Sequence, residues 1–454
     1  MPNNYSQKLN KVLEGGKVGI GSRIVVKKGK QAYEGLLMPR NETGDGNFLV
    51  LKLDSGYNMG IRFEKGVKIE KSKHKEPKRA KEEAAFEMGK EKVKKMDFDP
   101  KKPTISFIST GGTIVSRVDY RTGGVAPLEK PEELLANVPE LKGIVNIKEV
   151  ISPFKKASED MGPKDWQKLA KVVAEELEKS DGVVIAHGTD TMHYTSAALS
   201  FMLKDLSKPV VLVGSQRSSD RGSSDAAMNL ICAAYLAVSD IAEVGICMHG
   251  STDDHYCNFT RGTKARKMHS TRRDAFRSIN EPPIAKVYPD GRIDILNKNY
   301  NKRGKGKTVA DAKFEHNIAL LKVCPGSDPS ILDCLVKKGC KGVVIEGTGM
   351  GHVPTNSEKS WIPEIKKLTK KGIPVVIATQ TVYGRVNTKV YTNLRILFNE
   401  AGAIPAEDMT SETAYVKLGW VLAHAKALDK VREMMLTNMV GEITERTEIE
   451  TFMV

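Results

Sequence analysis

The sequence predicts an α/β protein, with two domains built on parallel sheets flanked by helices and a small N-terminal β-barrel before them. Three observations predict it. Six short apolar runs each end in a small polar loop: TISFI before STGGT, GVVIA before HGTD, PVVLV before GSQRSSD, EVGIC before MHGSTDD, GVVIE before GTGMG, and PVVIA before TQTVYG. Helical patterns separate them, as at 191–204 (TMHYTSAALSFMLK) and 225–238 (DAAMNLICAAYLAV), and strands alternating with helices argue for parallel sheets covered on both faces. Ahead of all this, Gly/Asn/Asp turns separate four short runs rich in Val, Ile, Leu and Tyr.

Those N-terminal runs are 23–29 (RIVVKKG), 32–38 (AYEGLLM), 47–53 (NFLVLKL) and 57–62 (YNMGIR), and they place the barrel in residues 1–70. Residues 71–102 form a linker in which 19 of 32 side chains are charged. The first α/β domain runs over 103–300 and the second over 308–454, with the basic stretch NKNYNKRGKGK at the boundary. In such sheets a ligand sits beyond the carboxyl ends of the strands, so the polar loops are the expected site.

With 40% apolar and 28% charged residues, the 454-residue chain can bury a large core, which excludes wholesale disorder. No apolar run approaches the roughly 20 residues of a membrane span, and MPNNYSQKLN does not read as a secretory leader. A cytoplasmic protein with no membrane partner is the expectation. Residues 1–102 carry 24 basic and 14 acidic side chains, two thirds of the net +15. That excess fits either an anionic partner such as RNA or a solubilising surface. The six cysteines form no CxxC pair and the nine histidines no HExxH, so the expectation is no metal in this chain and buried thiols in a reducing compartment.

Three loops carry more than turn chemistry. At 109–113 (STGGT) paired glycines let the backbone approach a ligand, and Thr113 presents a hydroxyl. At 187–190 (HGTD) a second hydroxyl, Thr189, stands beside Asp190, which reads either as a working carboxylate or as the N-cap of the following helix. A lysine from the basic loop KARKMHSTRRDAFRS (264–278), packed on Asp190, could serve as base for a threonine hydroxyl. The other reading of that loop is a solvated basic surface.

FISTGGTIVSRVDYRTGGVAP, KKASEDM, IAHGTDTMHYTSAAL with PVVLVGSQR, and KARKMHSTRRDAFRS occur in that order and resemble the bacterial-type L-asparaginase and glutaminase family over residues 103 to about 435. The N-terminal unit, the linker, GSQRSSDRGSSD and TQTVYGRV bring the chain closer to one branch, the glutaminase subunits of archaeal glutamyl-tRNA(Gln) amidotransferases. The resemblance implies the two-domain asparaginase-like fold. It puts catalytic threonines at Thr113 and Thr189, with Asp190, and the lysine of a KxxxT element at Lys267, followed by Thr271. Tyr120 matches a tyrosine on a mobile loop over the substrate. Ser158 and Glu159 match the positions that hold the substrate's α-carboxylate and α-amino group. Many asparaginases resemble this chain but carry Gln at the Glu159 position, and a carboxylate there favours an ammonium. The intersubunit asparagine loop of free asparaginases corresponds to GTGMGHV, with His352 near that place, and His352 is not placed in the site.

The reaction the resemblance implies is amide hydrolysis through an acyl-enzyme. It further implies glutamine as substrate, passage of ammonia to a partner, the E subunit of the amidotransferase, and glutamate-charged tRNA(Gln) as the acceptor. ATP and Mg2+ are then expected on that partner and no cofactor in this chain, which has no GxxxxGK[ST] loop. A homodimer within a heterotetramer is the implied assembly. The alternatives are a free homodimeric L-asparaginase and a non-catalytic RNA-binding or regulatory protein on the same scaffold.

Overall fold

The protein is described from a computed structural model covering residues 4–38, 40, 45–53, 58–73, 98–112, 114, 116–119, 124–127, 138–217 and 223–452. Most of the charged linker lies outside the described residues.

The N-terminal unit is an antiparallel five-stranded sheet in the order Asn58–Arg62, Phe48–Lys52, Gln31–Leu37, Arg23–Lys28, Lys68–Lys71. Ile24 and Val26 alternate inward along Arg23–Lys28 and meet Leu37, Leu49 and Leu51. A helix the turn pattern did not predict, Gln7–Gly15, covers this face with Leu9 and Leu13, one turn apart. Ser6 caps it by accepting from the Leu9 N–H at 3.3 Å.

The first large domain is an eight-stranded sheet. Asn146–Ile151, Thr104–Ser109, Gly182–Ala186, Val210–Val213 and Val244–His249 run parallel, in that spatial order. Cys257–Arg261, Ala285–Val287 and Ile293–Ile295 then continue antiparallel, so the expected parallel sheet carries an antiparallel extension at one edge. The connection at 250–256 is too short for a parallel crossover, which takes about a dozen residues or more, so the chain folds straight back. Helices Pro163–Lys179 and Met192–Met202 bury their apolar sides on one face, and Ala226–Ala237 does so on the other.

The second domain holds a parallel sheet ordered Ile318–Lys322, Gly342–Gly347, Val375–Thr379, Ile404–Pro405. Its helix Ser411–His424, capped by Thr410, packs on Met192–Met202 of the first domain, and one apolar core runs through both. All six apolar runs of the sequence are strands. Cys232, Cys247, Cys257 and Cys340 are buried, whereas Cys324 and Cys334 are exposed, against the expectation for all six. Among the described residues no helix is long and apolar enough to cross a membrane.

Candidate active site

Three adjacent parallel strands end side by side, and their loops meet. After Thr104–Ser109, the Thr110 N–H and hydroxyl both donate to the Ala186 carbonyl at 3.0 Å, which fixes this loop to the next strand. Gly111 and Gly112 follow with φ of +117° and +92°, conformations an L side chain rarely adopts. A Cβ on Gly111 would lie 2.4 Å from the Lys156 carbonyl oxygen, and one on Gly112 would lie 2.8 Å from the Gly188 nitrogen. Gly188 in turn lies against Ser158, where an added Cβ would come within 2.8 Å of the serine Cβ. The paired glycines thus let the TGGT, ASED and HGTD segments touch. Thr113 and Tyr120 lie outside the described residues.

After Gly182–Ala186, the His187 N–H continues the ladder to the Val213 carbonyl at 3.0 Å, and Thr189 and Asp190 stand at the head of helix Met192–Met202. Asp190 does not cap that helix. Thr191 holds the N-cap position, and its hydroxyl donates to the Ser158 carbonyl at 2.6 Å. Ser158 is buried in the short turn Ser158–Asp160, next to the exposed Glu159.

Lys267 ends strand Ala265–Lys267, which pairs with Phe276–Ser278 in a hairpin. Its ammonium donates to Thr189 Oγ1 at 2.9 Å and to Asp190 Oδ1 at 2.7 Å, across 77 to 78 residues of sequence. The lysine side chain is 10% exposed, while Asp190 is 66% exposed and turned to solvent. The loop therefore contributes a largely shielded amine to the cluster as well as solvated charge. Thr271 is exposed at the hairpin tip, where its N–H donates to His269 Nδ1.

Sequence reasoning missed what surrounds this cluster. His193, in the first turn of Met192–Met202, is buried, and desolvation pulls its imidazole pKa down to about 3, reinforced by Arg266 and Lys267 and opposed by Asp190. His187 behaves likewise at about 4, again chiefly through burial, and its Nδ1 donates to the Gly188 carbonyl at 2.6 Å. Both rings are neutral at physiological pH. Glu412, in the first turn of Ser411–His424, forms an ion pair with Arg266 at 3.0 Å. Asp225 accepts the backbone N–H groups of Gln216 and Arg217 and so shapes the third loop. Its sequence signal is an acidic residue just before the helix Ala226–Ala237, whereas nothing in the sequence announces Glu412, which arrives from the other domain. Asp190, His193, Tyr194, Arg266, Lys267 and Glu412 border an open depression of about 400 Å³. His352 lies in the second domain against the Tyr391 ring, 5.2 Å between centroids.

A two-domain α/β fold that joins a hydroxyl, a carboxylate and a half-buried amine beyond the strand ends is that of the asparaginase–glutaminase class. The family models agree: "Asparaginase, N-terminal" matches residues 104–301 and "Glutaminase/Asparaginase C-terminal domain" matches 317–435. The L-asparaginase of Thermococcus kodakarensis superposes with a TM-score of 0.67 at 34% identity, covering 75% of this chain and 99% of that one. L-asparaginase I of Vibrio cholerae gives 0.64 at 29%, covering 76% and 99%.

Ahead of these, residues 18–71 match the "GatD N-terminal domain". The glutamyl-tRNA(Gln) amidotransferase D subunit of Thermococcus kodakarensis is 50% identical over 98% of this chain and 99% of its own length. That of Pyrococcus furiosus is 52% identical over 97% and 98%. The chain belongs to the family of glutamyl-tRNA(Gln) amidotransferase D subunits.

Proposed function

We propose that this chain is the glutaminase component of a tRNA-dependent amidotransferase, releasing ammonia from glutamine so that its partner, the E subunit, converts Glu-tRNA(Gln) to Gln-tRNA(Gln). One observation supports the chemistry above all: Lys267 Nζ lies 2.9 Å from Thr189 Oγ1 with Asp190 beside it. Thr113 attacks the side-chain amide carbon, Tyr120 closes over it, and Thr189, Asp190 and Lys267 carry the protons. The C–N bond breaks, ammonia leaves with the relayed proton, and water then hydrolyses the acyl ester. Lys267 stands as an ammonium between Thr189 Oγ1 and Asp190 Oδ1, and it takes a hydroxyl proton once it has passed one of its own to the solvent-facing Asp190. Ser158 and Glu159 hold the amino-acid end of glutamine. ATP and Mg2+ belong to the partner, and this chain works as a homodimer within a heterotetramer.

The full-length likeness to D subunits favours this reading over a free L-asparaginase, whose solved relatives leave about a quarter of the chain unmatched. An ammonia-release assay with glutamine and with asparagine, with and without partner and charged tRNA, tests it. Glutamine turnover that rises with partner and tRNA is expected; full-rate asparagine hydrolysis by the lone chain would reverse the choice.

A further inference from the structure

Two of the strand-end loops, GSQRSSD and MHGSTDD, take no part in the relay at Thr189 and Lys267. The second of them leaves the strand Val244–His249 and holds the hairpin that carries Lys267 at three points. Arg277 donates to the Gly250 carbonyl at 3.4 Å, Arg273 donates to the Thr252 carbonyl, and the Arg273 guanidinium pairs with Asp254 Oδ1 at 2.7 Å. The two neighbouring aspartates divide their work. Asp253 turns back into its own loop and accepts from the Ser251 hydroxyl and the His255 N–H, whereas Asp254 reaches out to the hairpin.

Asp254 is itself braced from inside the domain. The fully buried ring of His249 spans from Asp254 Oδ1, at 3.0 Å, to Asn229 Oδ1, at 2.6 Å. Both partners offer oxygens, so the ring bridges them by donating. The orientation of Asn229 follows from its other end, where Nδ2 donates to the Gly214 carbonyl at 2.9 Å and to Asp225 Oδ2 at 3.0 Å. Asp225 in turn accepts the N–H groups of Gln216 and Arg217. One continuous line of hydrogen bonds therefore runs from the GSQR loop through buried Asp225, Asn229 and His249 to Asp254, Arg273 and the hairpin. A satisfied buried network holds its members in one arrangement, and the hairpin needs such a hold to keep its amine 2.9 Å from a hydroxyl.

We propose that Asp254, backed by His249, is a positioning residue for Lys267: it fixes Arg273, and through it the hairpin, so that the amine stays on Thr189 Oγ1. The proposal rests on the glutaminase reading above. Asp254 acts through the hairpin and touches neither Lys267 nor Thr189. Misplacing a proton-transfer group by about 1 Å can cost on the order of 10²-fold in rate. Loosening the hairpin therefore acts on turnover and spares the hold of Ser158 and Glu159 on glutamine.

The test is steady-state glutamine hydrolysis by the complete complex. Asp254 is 67% exposed, so its carboxylate can be removed with little cost to folding, and Arg273→Ala serves as a second variant. Asp254→Ala is expected to lower kcat about tenfold and to leave KM within about twofold. Asp254→Asn, which keeps an oxygen for Arg273 and His249, is expected to regain most of that loss. Asp253→Asn removes the same charge one residue away and is expected to keep the unaltered rate. An unchanged kcat in folded Asp254→Ala and Arg273→Ala complexes overturns the proposal. So does an equal fall in Asp253→Asn, which would make the effect one of charge alone. If even the unaltered complex forms no glutamate from glutamine, the glutaminase reading itself has failed, a result separable from the others because it needs no variant.

Discussion

The ammonium of Lys264 lies 2.6 Å from Asp408 Oδ2, and both side chains are fully buried, one in each large domain. Burial pulls the lysine's pKa down, and the facing carboxylate opposes that pull. Asp408 also accepts from the N–H and hydroxyl of Thr444. Arg385 lies 3.4 Å from Asp408 Oδ1 and compensates part of its charge, so removing Lys264 costs up to about 3–5 kcal/mol, the loss for a fully orphaned buried charge. Lys264→Met is expected to lower unfolding free energy by that much in urea titration, and Lys264→Met with Asp408→Leu by less than the two single changes together. Additive losses would show that the charges are not coupled.

Lys267→Ala is expected to lower glutamine turnover in the full complex by on the order of 10², as loss of a general base does. Near-full turnover in a folded variant would remove the relay.

A diazo-ketone analogue of glutamine is expected to alkylate Thr113, which peptide mapping reads directly. Label on Thr189 instead would exchange the roles of the two threonines.

Gly188→Ala places a methyl group 2.8 Å from the Ser158 Cβ and 2.9 Å from its Oγ. Ser158 then has to move, and strain of this kind typically costs about 1–3 kcal/mol. The expected kinetic result is a KM for glutamine raised roughly tenfold, with kcat changed less. A fall in kcat alone would mean that Ser158 does not position the substrate.

His187 and His193 have folded pKa values of about 4 and about 3, below the ordinary 6.5. Between those values and 6.5 the unfolded chain binds protons that the native one does not, so both histidines favour the fold above about pH 6.5 and lose that contribution as pH falls toward 4 and 3. Their ring C–H resonances are expected to stay flat from pH 8 to 5. A titration near pH 6.5 would contradict their burial as neutral rings.

Much of the fold was legible because its signals are local. Val183–Ile185, Val210–Val213 and Val343–Ile345 are continuous apolar runs, as strands covered on both faces must be. The same holds for Gly111 and Gly112, whose left-handed backbone the paired glycines foreshadow. The short helix at Leu9 and Leu13 was missed although Ser6 stands at its cap, because two apolar residues one turn apart are weak periodicity. Asp190 was ambiguous because cap and ion pair demand the same residue at the same place, and only the return of Lys267 separates them. Glu412 and His193 were illegible for a different reason. Their environment is made by packing between segments more than 200 residues apart, and no local pattern encodes it.

The ribbon that carries Lys267 is rooted in the opposite lobe: Lys264 on Asp408, the Thr263 carbonyl on the Thr413 hydroxyl at 2.8 Å, Arg266 on Glu412, and Asn280 on both Asp408 and Gly384. Thr189, its target, is anchored in the other lobe. The hairpin is tied to its own lobe as well, through Arg277 on the Gly250 carbonyl and Arg273 on Asp254, so the meeting of amine and hydroxyl depends on both lobes at once.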